Sequence, residues 1–202
     1  SILEVEGLTI RFGGLVAVSD VTFQLTEGEI LSIIGPNGAG KTTIFNMMTG
    51  FYKPTAGDIR YRGQSTLGLP THAISDLGII RTFQKTMVFP KATVRDGVLI
   101  GLHQSSSVGW WEILWNSARK IKEDAGLQVE ADRILEFTGL ADKAHMEARN
   151  LPYGEQRLLE IAVGLAPRPD LLLLDEPASG MNAEESAKTL ALIRRIRETG
   201  IT

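Results

Sequence analysis

Gly35-Pro36-Asn37-Gly38-Ala39-Gly40-Lys41-Thr42-Thr43 lies between an apolar run, Ile30 to Ile34, and a segment of helical spacing that begins near Lys41. That order decides the fold class, because G-x-x-x-x-G-K-[ST] between a strand and a helix is the phosphate-loop pattern of an α/β nucleotide-binding core. Its glycines let the backbone curl until successive N–H groups converge on phosphate oxygens. The following helix adds the partial positive charge of its N-terminus. Lys41 is positioned to reach the β- and γ-phosphates, and the Thr42 hydroxyl to ligate Mg²⁺. The expected nucleotide-binding residues are therefore Gly35, Pro36, Asn37, Gly38, Ala39, Gly40, Lys41, Thr42 and Thr43.

Upstream of the loop, Ile2 to Ile10, Val21 to Leu25 and Ile30 to Ile34 read as strands, punctuated by Gly13-Gly14 and Glu27-Gly28. Downstream, the helix carrying Ile44, Phe45, Met47 and Met48 stops at Gly50, and a strand is expected over Asp58 to Arg62. From about Thr93 to Phe137 the spacing turns helical, which predicts an inserted helical lobe closed by Gly139. A further helix over Glu155 to Ala166 is ended by Pro167 and Pro169. Leu171 to Leu174 then reads as a short buried strand that returns to the α/β core. The expected lobes are residues 1–92, 93–150 and 151–202.

Composition narrows the classes. At 202 residues and 43% hydrophobic the chain can bury one substantial core, or a core with a smaller lobe. A net charge of -3 argues against a broad nucleic-acid surface, and no nucleic-acid partner is expected. With no cysteine there are no disulfides or thiolate metal sites. No apolar run approaches the roughly 18 to 20 residues that span a bilayer, so contact with a membrane is expected only through partners.

The buried run Leu171-Leu172-Leu173-Leu174 ends in Asp175-Glu176-Pro177. By itself this would read as an ordinary strand and a solvated turn. Paired with a phosphate loop, the acid closing such a strand is the candidate Mg²⁺ residue, Asp175. Its neighbour Glu176 is the candidate general base that polarises or deprotonates the attacking water.

Several ordered stretches now carry a family resemblance. They are the phosphate loop, Leu151-Pro152-Tyr153-Gly154-Glu155-Gln156-Arg157, and the strand ending in Asp175-Glu176-Pro177. Over essentially its whole length the chain resembles the ATP-binding subunits of ABC transporters. More narrowly it resembles those of bacterial branched-chain amino-acid importers, on Arg11-Phe12-Gly13-Gly14-Leu15, Thr49-Gly50-Phe51-Tyr52-Lys53-Pro54-Thr55 and Arg81-Thr82-Phe83-Gln84. The resemblance implies a phosphate-loop ABC ATPase core, a mixed sheet with flanking helices, plus an antiparallel β subdomain and an inserted helical subdomain. ATP and Mg²⁺ are the implied cofactors.

Residue by residue, the resemblance makes Phe12 the aromatic that stacks on adenine, the alternative being a buried strand phenylalanine. Gln84 becomes the glutamine that reaches Mg²⁺ and the attacking water, and Tyr153, Gly154 and Glu155 part of a signature motif that contacts the γ-phosphate held by a second subunit. Pro152 and Tyr153 depart from the commonest form of that motif, Leu-Ser-Gly-Gly-Gln, so its usual serine hydroxyl is absent. Ser179-Gly180-Met181-Asn182 matches the loop that crosses the dimer interface, or reads simply as the turn before the next helix.

The implied partners are a second ATP-binding subunit, forming a homo- or heterodimer, and transmembrane permease subunits. The implied location is cytoplasmic, peripheral on the inner face of the cell membrane. The run Trp110, Trp111, Leu114, Trp115, Ala118 and Ile121 reads as helical core, or as a face toward a permease if one tryptophan is exposed. Arg194, Arg195 and Arg197 read as solvated charges at a helix end. The family's γ-phosphate histidine has no counterpart after Asp175, since His72, His103 and His145 all precede it. The C-terminal part of the fold is therefore expected to be missing, with an open sheet edge, nucleotide binding and poor hydrolysis. Other readings are a soluble non-transport ABC-type ATPase or regulator, and a non-hydrolysing nucleotide-binding module.

Overall fold

The computed structural model describes residues 1–82, 92–104 and 125–202. They fall into two compact units, Ser1–Ile80 with Arg195–Thr202, and Arg81–Arg194. Gln84 and the tryptophan-rich run from Trp110 to Ile121 lie outside the described residues.

The first unit is built on a four-stranded sheet in the order β2-β1-β3-β4, from β1 (Leu3–Phe12), β2 (Leu15–Leu25), β3 (Ala56–Tyr61) and β4 (Gln64–Ser65). All three pairings are antiparallel. This is the antiparallel β element expected from sequence, with longer strands. Gly13-Gly14 closes the β1–β2 hairpin between the paired residues Phe12 and Leu15, with Gly13 at φ +58°.

Strict alternation would put Leu3, Val5 and residue 7 on one face, yet the buried residues of β1 are Leu3, Val5, Leu8 and Ile10. A break in register between Val5 and Leu8 resolves this, with Gly7 at φ +58° at the irregularity. The extra residue returns Leu8 and Ile10 to the buried face. Helix α1 (Lys41–Met48) turns Ile44, Met47 and Met48 inward. Gly50 then reverses the chain at φ +73°, where a Cβ would sit 2.8 Å from the Leu69 carbonyl oxygen. A one-and-a-half-turn helix, α2 (Thr71–Asp76), buries Ile74.

One expected element is not formed. Ile30 to Ile34 is irregular, and Ile34 is 91% exposed. A run of β-branched residues acquires a ladder only beside a partner strand. The four-stranded sheet uses β1, β3 and β4 beside β2, and the chain leaves β2 at Leu25 through a turn in which Glu29 N–H donates to the Thr26 carbonyl. Among the described residues no strand pairs with the segment that follows.

The second unit is mainly helical: α3 (Val94–Gln104), α4 (Ala125–Thr138), α5 (Tyr153–Leu165) and the start of α6 (Ala183–Glu198). Val98, Leu99, Leu102, Leu135, Leu159 and Ala162 belong to one buried cluster shared by α3, α4 and α5. Small residues set how closely these helices approach. A Cβ on Gly101 would lie 2.8 Å from the Ala166 Cβ and from the Val163 carbonyl oxygen. Gly139, at φ +79°, ends α4 as anticipated.

Thr93 and Asp96 cap α3 reciprocally, the Asp96 N–H donating to Thr93 Oγ1 at 3.1 Å and the Thr93 N–H to Asp96 Oδ2 at 3.2 Å. The short strands β5 (Ile79–Arg81) and β6 (Leu171–Leu173) pair, and beside them the Thr82 N–H donates to the Leu173 carbonyl at 3.0 Å.

Candidate functional site

In the first unit, the phosphate loop is shaped by two left-handed glycines, Gly38 at φ +84° and Gly40 at φ +85°. Gly40 is the N-cap of α1, and a Cβ there would lie 2.6 Å from the Ala17 carbonyl oxygen and 2.9 Å from Val18 Cγ2. The second glycine of the motif is thus required twice, by its dihedral angle and by the closeness of strand β2. Lys41 folds back over the loop, its Nζ donating to the carbonyls of Gly35 at 2.7 Å and Pro36 at 3.0 Å. These contacts hold the ammonium above the α1 N-terminus, the placement that suits phosphate oxygens.

Phe12, at the end of β1, is 44% exposed, which disposes of the buried-strand alternative. Its ring meets Tyr52 edge-on at 5.2 Å between centroids, and Phe51 packs on Tyr52 at the same distance. In the sequence Tyr52 carries only family likeness. An edge-to-face partner fixes a ring's orientation while leaving one face open to a planar ligand.

In the second unit, Asp175 follows β6 and is only 6% exposed. Its Oδ2 accepts from Arg81 Nη2 at 2.7 Å, an ion pair that sequence reading did not anticipate. Glu176 is exposed and holds φ +49°, a left-handed conformation uncommon for a non-glycine residue. Strain of this kind costs of order 1–3 kcal/mol and collects at functional sites.

The signature segment enters α5 with Leu151 buried and Pro152 as N-cap, and no side chain caps the helix. Its first N–H groups therefore remain suited to an anion. Tyr153 is engaged elsewhere. Its hydroxyl donates to the Ser179 carbonyl at 3.0 Å and accepts from Arg157 Nη2 at 2.9 Å, while the guanidinium lies 5.3 Å from the ring centroid. Desolvation opposes the Arg157 charge, but hydrogen bonds with Glu160 and Tyr153 outweigh it and hold its pKa above the ordinary value. Gly154 is buried, and a Cβ on it would lie 2.9 Å from the Glu185 carboxyl carbon. Glu155 is ion-paired with Lys143, leaving its Oε2 without a hydrogen-bond partner among the described residues.

Ser179-Gly180-Met181-Asn182 forms the turn before α6, and Gly180 packs on the Tyr153 ring, to which its Cβ would come within 3.2 Å. Asn182 and Glu185 make a capping pair: Glu185 N–H donates to Asn182 Oδ1 at 2.9 Å, and Asn182 N–H donates to Glu185 Oε2 at 3.0 Å. The signal was legible as Asn-x-x-Glu ahead of a helical run. Arg194, Arg195 and Arg197 are exposed, as expected.

The donor chemistry fits Mg²⁺. Within the second unit Asp175 offers a carboxylate, a hard oxygen donor, and no cluster of three or more His, Cys, Asp or Glu capable of holding a metal occurs among the described residues. Mg²⁺ is commonly held in this way, through one or two carboxylates and the phosphates of a substrate.

The described architecture is that of a phosphate-loop nucleotide-binding protein, and comparisons with known proteins place it further. The ABC transporter family profile matches residues 18–179, and the chain belongs to that family. It is 44% identical over 196 residues to the high-affinity branched-chain amino acid transport ATP-binding protein LivG of Escherichia coli strain K12, covering 97% of this chain and 77% of LivG. Likeness to BraF of Pseudomonas aeruginosa, which carries the same description, is 43% over the same length, again 97% of this chain and 77% of the relative.

Among solved structures, an ATP-binding cassette of an ABC transporter matches with a TM-score of 0.90 at 28% identity, covering 100% of this chain and 79% of the other. The ADP conformation of such a cassette matches with a TM-score of 0.88 at 28% identity, covering 100% and 78%. The chain therefore has the mixed α/β fold of the ABC ATPases and is an ATP-binding ATPase of that family. No helix among the described residues is long and apolar enough to cross a membrane.

Proposed function

We propose that this chain is the ATP-binding subunit of an importer for branched-chain amino acids, peripheral on the inner face of the cell membrane and attached there through permease subunits. The observation that carries this reading is the 44% identity, over nearly the whole chain, to proteins described as branched-chain amino-acid transport ATP-binding subunits. The lobes 1–92, 93–150 and 151–202 follow the same reading.

The phosphate loop with Lys41 grips the ATP phosphates, Phe12 lies against the adenine, and Thr42, Gln84 and Asp175 are the groups for Mg²⁺. When bound, Mg²⁺ neutralises charge on the phosphate oxygens. Glu176 takes a proton from the attacking water as its oxygen bonds to the γ-phosphorus. The bond to the β,γ-bridging oxygen breaks, and its electron pair leaves with ADP. Tyr153, Gly154 and Glu155 present the N-terminus of α5 to the nucleotide held by a second subunit. Two copies, or this chain and a related one, would close on two nucleotides, and closure would be passed to the permease.

Uptake of labelled leucine, isoleucine and valine in the source organism, with the gene deleted and then restored, tests the proposal. Restoration by the natural gene but not by Lys41→Ala or Glu176→Gln is expected. Uptake that survives the deletion unchanged, with no redundant transporter induced, would refute the substrate class.

A further inference from the structure

We infer that Arg81 is a positioning residue that pairs with the Asp175 carboxylate and competes with Mg²⁺ for it, yielding it when the metal comes with the phosphates. The inference rests on the reading of Asp175 as a metal residue. It goes beyond that reading by naming what holds the carboxylate otherwise.

Asp175 is nine-tenths buried, and carboxylates are almost never so buried without a partner. Among the described residues its ion pair is with Arg81, at 2.7 Å, and the Arg81 side chain is itself only 16% exposed. The pairing is built into the backbone. Arg81 ends β5, Asp175 follows β6, and these strands are neighbours. The next residue, Thr82, is fixed by its N–H to the Leu173 carbonyl at 3.0 Å, and its methyl carbon stands 3.1 Å from where a Cβ on Gly164 would be. Both members of the pair are thus delivered to each other by one ladder, whatever rotamers the rest of the surface adopts.

A guanidinium and a hydrated Mg²⁺ compete for the same carboxylate oxygens, and the cation left nearby repels the metal. Arg81 therefore lowers the affinity of the site for Mg²⁺ alone and makes the metal's arrival depend on the negative charge of the nucleotide. A purely structural arginine would have one consequence when removed, loss of stability. A competing arginine has two of opposite sign: the fold weakens while the metal binds more tightly.

The experiment compares the full chain with Arg81→Met, which keeps length without charge, and Arg81→Lys, which keeps charge. ADP affinity is measured calorimetrically in EDTA and at graded Mg²⁺, beside the thermal midpoint. For Arg81→Met the midpoint should fall by about 10 °C, while the Mg²⁺ concentration giving half of the affinity gain should fall about tenfold or more. Arg81→Lys should need Mg²⁺ as the unaltered protein does. If Arg81→Met needs as much Mg²⁺ or more, the inference is overturned.

The unaltered protein supplies an independent readout should the variant not fold. The Arg81 Nε–H resonance should shift on adding ADP with Mg²⁺ and stay in place on adding ADP with EDTA, and an identical response to both would overturn the inference. ADP affinity indifferent to Mg²⁺ in the unaltered protein would instead bring down the metal reading on which it rests.

Discussion

Replacing Gly40 by alanine tests whether the phosphate loop is held by its dihedral angles alone or also by strand β2. The residue sits at φ +85°, and an added Cβ would lie 2.6 Å from the Ala17 carbonyl oxygen and 2.9 Å from Val18 Cγ2. Gly38 provides the control, because it has nearly the same angle, φ +84°, with nothing within 4 Å of its would-be Cβ. A left-handed alanine costs roughly 1–2 kcal/mol, partly offset by the lower entropy of the unfolded chain, and because both effects are common to the two variants they cancel in the difference. The close contact is with backbone, which cannot rotate away, so Gly40→Ala adds an overpacking cost of about 1–3 kcal/mol. The variants should therefore differ by about 2 kcal/mol, which at a urea m-value of about 2 kcal/mol/M is a midpoint difference of about 1 M. Urea titration followed by circular dichroism reads this directly. Equal midpoints for the two variants would show that the approach of β2 plays no part in requiring Gly40.

Three further outcomes follow from local geometry. Tyr153→Phe removes the hydroxyl that joins α5 to Ser179, so amide exchange in the turn at 178–182 should accelerate, with a stability loss of about 1 kcal/mol; unchanged exchange would mean the bond does not order the turn. Asn182→Ala removes the α6 cap and should cost about 1 kcal/mol in a denaturant titration, whereas Asn182→Asp should cost little, and equal losses would refute a capping role. The carboxyl of Asp58 is held below its usual pKa, first by the Ser65 hydroxyl and then by Arg60, so its contribution is present above the unfolded value and is lost as pH falls through the folded one. Asp58→Asn should accordingly narrow the stability gap between pH 7 and pH 3, and an undiminished gap would remove Asp58 from the acid response.

What the sequence made legible was local. The phosphate loop is a run of nine residues whose left-handed glycines, lysine and helix start are set largely by near neighbours, and it leads into α1 as its pattern requires, although the strand expected before it is not formed. The ends of α4 at Gly139 and of α5 before Pro167 were likewise readable, because capping and chain-breaking act within a few residues. The segment Ile30 to Ile34 shows the opposite case. Its residues favour a strand, but a ladder is a property of two segments, and periodicity in one says nothing about whether the other lies alongside. Arg81 stayed hidden for the same reason: it is 94 residues from Asp175 in sequence, and only the pairing of β5 with β6 brings the two side chains to 2.7 Å.

The departure of the signature segment from Leu-Ser-Gly-Gly-Gln has a structural counterpart of this non-local kind. A serine hydroxyl near the start of α5 would be short and free to point along the helix axis, toward an anion. Pro152 stands at the serine's place without a hydroxyl, and Tyr153, where the first glycine would be, carries its hydroxyl across to the Ser179 carbonyl while its ring fills space left by Gly180. On the neighbouring position Gly154 admits the Glu185 carboxylate, which itself closes the cap on α6 through the Asn182 N–H. The start of α5 and the turn before α6 are thereby joined at two adjacent residues, one by a hydrogen bond and the other by close packing. Such a joint is stiff because neither contact can slide without breaking the other. A force on the N-terminus of α5, such as an anion drawing its N–H groups, would be felt at residues 179–182 with no intervening flexible segment. Phenylalanine at position 153 keeps the ring but not the bond, and alanine removes both. Exchange rates in the turn should therefore rise in two steps across that pair of variants, and a single step, with phenylalanine indistinguishable from alanine, would assign the whole joint to the hydroxyl.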